Sequence, residues 1–345
     1  MLYRRIRTNI KNNRNLVKLR YTHENEGGNY YFMNSLKNKN LTLWILCSVV
    51  LFFLLLSCLY EPLLSKILTL RVESIRINGE VKYPPFTPLE VLPFGTDIIG
   101  FTIFAKIIQG FKYTFFIGLL LSTAQIFSSL IITILILHKL GSKVVLPLFS
   151  YFDKLFTLIP KPFLLLLLIG PYSNALLFNT DNVQPSANFK FVMIQLSILF
   201  LVGIPNLVKL YHSELSFLFK QDFAFASQTL GSSKFRMIGY SFKPQLTELT
   251  LNLFFKILTQ NLSLFIYLAY FQLYLGGSLV TQLDASTTYT ATISNEWSGL
   301  IGQNINRLAS TPWTVLIPLA FYGGFILLLN GIKRSLTGGM QNQSI

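Results

Sequence analysis

The sequence predicts an all-α membrane protein with six transmembrane helices, and three observations carry that expectation. Hydrophobic residues fill 52% of the 345 positions and charged residues only 12%. A globular domain carries about 25% charged residues, so too little is left here to solvate a soluble surface. The aromatic share is 14%, with Phe at 31 positions, which excludes disorder over most of the length. Finally, the apolar residues fall into runs close to the about 20 that cross a bilayer as a helix, and the mean hydropathy is +0.50.

In chain order, residues 1–40 are basic and lack sustained apolar periodicity, with a turn-rich stretch from Tyr21 to Tyr31. They read as a cytoplasmic segment drawn to anionic lipid, worth about 1 kcal/mol per basic residue near the surface. Residues 41–59 form the first span, within an anchor over 41–60. A signal peptide would have a short leader in place of these 40 residues, and Leu55-Leu56-Ser57-Cys58 matches a lipoprotein cleavage box only loosely, so the span is expected to stay as an anchor. Residues 61–106 form an outer loop in which the alternation Val72-Glu73-Ser74-Ile75-Arg76-Ile77 predicts a short strand. Its Pro84-Pro85 and Pro93-Phe94-Gly95 predict turns. A core over 107–336 then holds five spans, at 113–137, 163–178 (interrupted by Gly170-Pro171), 191–208, 249–275 and 313–332, before a tail over 337–345.

Charge orients the spans. The segments on one side hold Arg4, Arg5, Arg7, Lys11, Arg14, Lys18, Arg20, Lys37, Lys39, Lys139, Lys143, Lys154, Lys161, Lys209, Lys220, Lys234, Arg236, Lys243, Lys333 and Arg334. The opposite loops hold Lys66, Arg71, Arg76, Lys82, Lys106, Lys190 and Arg307, together with eight of the fourteen acids. Twenty basic residues against seven predict cytoplasmic termini. The net charge of +15 sits between apolar runs, where a membrane protein keeps it, and does not form the basic face of a nucleic-acid binder.

No catalytic constellation is present in the sequence. His23, His138 and His212 lack metal-site spacing. There is no Gly-x-Ser-x-Gly elbow and no Gly-Lys dipeptide, hence no phosphate loop. Cys47 and Cys58 share one apolar run and give no disulfide framework. The chain is expected to be no enzyme and to bind no cofactor or metal, and energy-driven work would need a nucleotide on another subunit.

The most informative loop is the cytoplasmic one over 209–247. Residues 222–230 carry small residues at helical spacing without a breaker, which predicts a short helix beginning at Asp222. Gly231 is placed to end it in the left-handed conformation, and Pro244 stands where the fifth span begins. Periodicity alone also fits an ordinary amphipathic interface helix.

This loop resembles the signature of ABC importer permeases, Glu-Ala-Ala, three residues, Gly, nine residues, Ile-x-Leu-Pro. Phe225-Ala226-Ser227 stands for Glu-Ala-Ala, Gly231 falls at the matching distance, and Pro244 matches the closing proline. Leu92-Pro93-Phe94-Gly95-Thr96-Asp97-Ile98-Ile99-Gly100 is similar to the segment that leads into the second span of the dipeptide, oligopeptide and nickel permeases. Phe152-Asp153-Lys154 through Pro160 is similar to their Val-Asp…Pro segment, and Glu296-Trp297-Ser298-Gly299 followed by Trp313 and Pro318 to their Glu-Trp-Gly…Trp…Pro ending. The order and spacing match over about residues 88–336. The chain departs from the pattern at Phe225 (Glu in the family), at Phe101-Thr102 (Arg-Asp) and at Lys243 (Leu).

The resemblance implies a type I importer permease fold in the bacterial plasma membrane. It implies a sister permease, two cytoplasmic ATPases that carry ATP and Mg, and an external substrate-binding lipoprotein, with oligopeptides or dipeptides as the cargo class. It implies that Asp222, Phe225, Ala226, Ser227, Gly231 and Pro244 couple to the ATPases. Gly95, Thr96, Asp97 and Gly100 belong to the segment before the second span. A non-transporting anchor or assembly subunit, or a transporter of nickel, metallophores or pheromone peptides, are the alternatives. Within the fifth span, Lys256 and Gln260 are four residues apart and share a helical face with Asn261 beside it. Polar groups in hydrocarbon face protein or water. These three are expected to line the path, against the alternatives of a snorkelling Lys256 and helix–helix hydrogen bonds from the two amides.

Overall fold

The computed structural model describes residues 41–63, 71–77, 80–138, 142–178, 185–284 and 287–340. The expected basic segment over 1–40 lies outside the described residues, as do residues 341–345 of the expected tail. By its contacts the chain divides into two units, Val50–Asn330 and a smaller one that joins residues 41–49 to 331–340. In the smaller unit Gly331 lets two helices approach, since a Cβ there would lie 2.9 Å from Leu46 Cδ1.

Among the described residues five helices are long and apolar enough to cross a bilayer: Leu41–Leu59 (α1), Ile103–Leu137, Phe189–Leu218, Lys243–Tyr270 and Trp313–Thr337. The chain is a mostly helical, multi-pass membrane protein. Where a third span was expected the chain forms α4 (Lys161–Phe178), whose described apolar part, Lys161–Pro171, is shorter than the five helices long enough to cross.

Each boundary shift has a physical reason. The helix of the second span, α2 (Ile103–His138), begins ten residues before the expected 113. Lys106 read as a loop charge in the sequence, but in the fold it pairs with Asp97 at 2.6 Å, and Lys112 pairs with Glu61 at 2.8 Å. Lysine is a good helix former, so a charge that ends the apolar run does not end the helix. The expected outer loop therefore stops at Thr102. The sequence from 142 to 158 was expected as loop and forms α3 (Ser142–Leu158). The charges Asp153 and Lys154 interrupt the apolar run without interrupting the helix. The fourth span extends to α5 (Pro185–Leu218).

The fifth span is α8 (Lys243–Tyr270) and stops five residues short of the expected 275. Gln272 takes φ +60° and the Gln272 and Leu273 amides donate back to Ala269 and Leu268, which closes the helix. Leu273, Tyr274 and Leu275 are buried beyond the helix end, so the apolar run continues as core and not as span. The last helix is α10 (Trp313–Met340).

Between the long helices lie short elements. In the outer loop β1 (Ile75–Ile77) pairs antiparallel with β2 (Glu80–Lys82), with Arg76 opposite Val81. The expected strand is present but shorter. After α5 come α6 (Asp222–Thr229), α7 (Lys234–Arg236) and a π-helical turn at Met237–Ser241. The Thr/Ser-rich stretch after α8 folds as a hairpin of β3 (Ser278–Asp284) and β4 (Thr287–Thr292), followed by α9 (Trp297–Asn304).

Within the larger unit, α2 packs on α5 and α8. Its buried polar side chains Ser122, Gln125, Ser129 and Thr133 recur at helical spacing and form one stripe on that contact face. Gly118 allows the approach, because a Cβ there would already touch the Leu258 and Leu262 methyls at 3.3 Å.

Candidate functional site

Three places carry polar or exposed residues that packing alone does not require: the knot before α2, the loop between α5 and α8, and a pocket inside the helix bundle.

In the knot, Gly95 (φ +73°) and Gly100 (φ +89°) take left-handed backbone that side chains with Cβ resist. A Cβ at Gly95 would fall 2.9 Å from the Pro88 nitrogen. The turns fold Thr96 and Asp97 inward until both are fully buried. Thr96 Oγ1 accepts from the Phe86 amide at 2.9 Å, while its carbonyl accepts from Trp313 Nε1 at 3.1 Å. Asp97 Oδ1 accepts from the amides of Ile99 and Phe101, and Oδ2 pairs with Lys106 Nζ at 2.6 Å. The Lys106 ammonium also lies 4.9 Å from the centre of the Phe101 ring, a cation–π contact. Phe101 thus fills space over the same lysine that pairs with Asp97. Nearby at the surface, Lys82 pairs with Glu90, which holds the Glu90 carboxyl below its ordinary range.

A second buried carboxyl, Glu296, sits at the start of α9. Thr292 and Ser294 hydroxyls donate to its Oε2, whereas Oε1 has no partner among the described residues. Burial raises the Glu296 pKa. The neighbouring Trp297 anchors α9 to α2, its amide donating to Thr114 Oγ1 at 2.9 Å and its indole N–H to the Ile107 carbonyl at 2.8 Å.

The loop has the opposite character. Ala224, Met237, Ile238 and Phe242 are buried with Leu215, Leu218 and Leu246 in a small core. Phe219 and Phe223 meet the Phe242 ring edge-on at 4.9 and 5.8 Å. That core fixes the loop on the ends of α5 and α8. Its outer face carries Phe225 (70% exposed), Leu230 (88%) and Tyr240 (81%), with Phe235 beside them. Asp222 occupies the first turn of α6, where a carboxylate suits the positive end of the helix. Ala226 is exposed, and Ser227 returns its hydroxyl to the Phe223 carbonyl at 2.8 Å. Gly231 has φ +85° and nothing within 4 Å, so only backbone geometry selects glycine there. Pro244 occupies the start of α8, where a missing N–H costs no hydrogen bond.

Inside the bundle, Asn261 Nδ2 donates to Ser122 Oγ and Gln125 Oε1, both at 2.9 Å. Gln125 Nε2 continues to the Leu199 carbonyl at 2.9 Å, and Gly203 leaves the room for it. The chain α8–α2–α5 is thus joined by amides. Asn261 is 4% exposed, so it is helix-to-helix glue within this chain. Gln260 and Asn261 both line a pocket with Gln125, Lys161, Asn206 and Leu264, and Lys256, one turn before Gln260, is exposed. The structure therefore keeps the two amides at one pocket and sets Lys256 outside its lining. It also adds Ser122, Gln125, Lys161, Asn206 and Lys106, which sequence reasoning missed. The stripe at 122, 125, 129 and 133 was the available signal. Among the described residues no group of His, Cys, Asp and Glu is arranged to hold a metal ion.

No protein-family profile matches the chain, and no curated protein sequence matches it.

Proposed function

We propose that this chain is the permease subunit of an ATP-driven ABC importer for peptides or similar small solutes. The observation that carries the reading is the loop between α5 and α8. It is braced by its own buried core, turns at a left-handed Gly231, and presents Phe225, Leu230 and Tyr240 with no partner to cover them. Exposed aromatic and apolar side chains on a rigid base are what a docking surface requires. In this reading the loop faces the cytoplasm and an ATPase subunit covers it. The permease would have six spans of the type I importer fold, α4 being the third, and would pair with a sister permease. ATP and Mg would be held by the ATPases and substrate delivered by an external binding lipoprotein. Closure of the ATPases would push α6, and the long α5 and α8 rooted in the same core would carry the movement into the bilayer, biasing a two-state bundle.

Purification of the chain from its own membrane in mild detergent tests this. ATPase and sister-permease subunits should copurify, and vesicles holding the complex should take up peptide only with ATP. Recovery of the chain alone, with no ATPase at any detergent strength, would refute the reading.

A further inference from the structure

The pocket inside the bundle has an electrostatic feature that the permease reading does not use. Lys161, at the first turn of α4, lines it together with Gln260, Asn206 and Gln125, and its ammonium makes no hydrogen bond or ion pair among the described residues. Its surroundings do not neutralise it. Asp153 on α3 acts on Lys161, but Asp153 is itself held by Lys209 of α5 at 3.1 Å. Lys256 of α8, one turn before Gln260, acts on Lys161 as a second positive charge. Lys209 lies one helical turn from Asn206 and Lys256 one turn from Gln260, so three lysines on three helices flank the pocket, and Asp153 pairs with Lys209. Lys209 and Lys256 are solvent-accessible, so the site has an open side, while Gln125 is buried at its inner end.

We propose that Lys161, Lys209 and Lys256 bind a phosphate-type oxyanion at the mouth of this pocket, with the amides of Gln260 and Asn206 as neutral donors. Ammonium groups are point charges with three donors each, suited to a tetrahedral oxyanion approached from several directions. An unpaired lysine beside hydrocarbon is costly, and an anion would remove that cost. Basic pockets between membrane helices on the cytoplasmic side take anionic lipid headgroups. On the neighbouring α3, Leu148, Tyr151 and Leu155 are exposed beside Asp153, an apolar surface along which acyl chains can lie. A free phosphate or phosphorylated solute has the same chemistry and would use the same three ammonium groups. The site stands whether or not the chain transports peptides.

The test uses the full purified chain in detergent, titrated separately with phosphatidylglycerol, phosphatidylcholine and inorganic phosphate. Thermal unfolding and native mass spectrometry give the readouts. Phosphatidylglycerol should raise the melting temperature and remain bound, phosphatidylcholine should do neither, and Lys161→Gln should weaken binding about fivefold. The exposed Lys256→Gln should weaken it similarly and serves if Lys161→Gln does not fold. A shift with inorganic phosphate that both substitutions reduce identifies a soluble oxyanion as the source. A shift with the lipid alone identifies the headgroup. Equal binding of the anionic lipid and phosphate by wild type and both variants, or no binding by wild type, overturns the proposal.

Discussion

The knot before α2 and the loop between α5 and α8 both carry residues singled out by motif, yet the two regions use them in opposite ways. In the knot, Thr96 and Asp97 are buried and every side-chain oxygen they carry has a hydrogen-bond partner within the chain. In the loop, the motif positions Phe225, Ala226 and Gly231 are exposed and touch little. The first pattern is explained by stability. The second stabilises nothing visible in this chain, as the proposed docking of an ATPase on this loop requires. Under that proposal the contrast separates motif residues that build the fold from motif residues left free for a partner.

The largest effect expected from that contrast is at the knot. Lys106→Met would leave the Asp97 carboxylate buried without its cation, and breaking such a pair costs about 3–5 kcal/mol. A loss of this size should appear as a steep fall in the unfolding midpoint of the detergent-solubilised protein, and an unchanged midpoint would show that the knot is not held by its own ion pair. A smaller effect is expected at the loop. Gly231→Val places a β-branched residue at φ +85°, a strain of about 1–2 kcal/mol in an exposed turn. Membrane insertion and the core of Leu215, Leu218 and Phe242 should survive, whereas copurification of the ATPase should fall. Full retention of the ATPase by the mutant would show that the turn at Gly231 does not hold it.

The smallest effect is a pH dependence at Glu296. Burial raises its pKa, so the folded state holds the proton more tightly than the unfolded chain does. Its contribution is present below the ordinary carboxylate value of about 4.3 and is lost as pH rises through the raised folded value. Wild type should therefore lose stability relative to Glu296→Gln as pH increases from about 4 to 8, and parallel pH profiles would remove Glu296 as the cause.

The same two regions show how far the sequence could be read. The helix at Asp222, the turn at Gly231 and Pro244 at the head of α8 follow from local rules of propensity and backbone geometry, and they were legible. The start of α2 at Ile103 was not, because hydropathy marks where the apolar run begins and not where the helix does, and the pairing of Lys106 with Asp97 exists only in the folded knot. Hydropathy also extended the fifth span over Leu273–Leu275, since an apolar run does not say whether lipid or protein surrounds it. At Asn261 a pore-lining role and a helix contact were equally readable from the sequence. In the fold it bonds to Ser122 and Gln125 on another helix, a tertiary fact, and also borders the pocket. Lys161 read as one more cytoplasmic charge, and only its place at the pocket distinguishes it from the others.

Site-specific photocrosslinking compares the two regions directly. A benzoylphenylalanine would replace Phe225 in the loop or, separately, Leu89, which is 92% exposed in the segment before the knot. Irradiation of intact cells followed by purification of the chain reveals what each position touches. An adduct with a cytoplasmic ATPase subunit is expected from position 225 and none from position 89. An ATPase adduct from position 89, or none from position 225, would contradict the proposed docking.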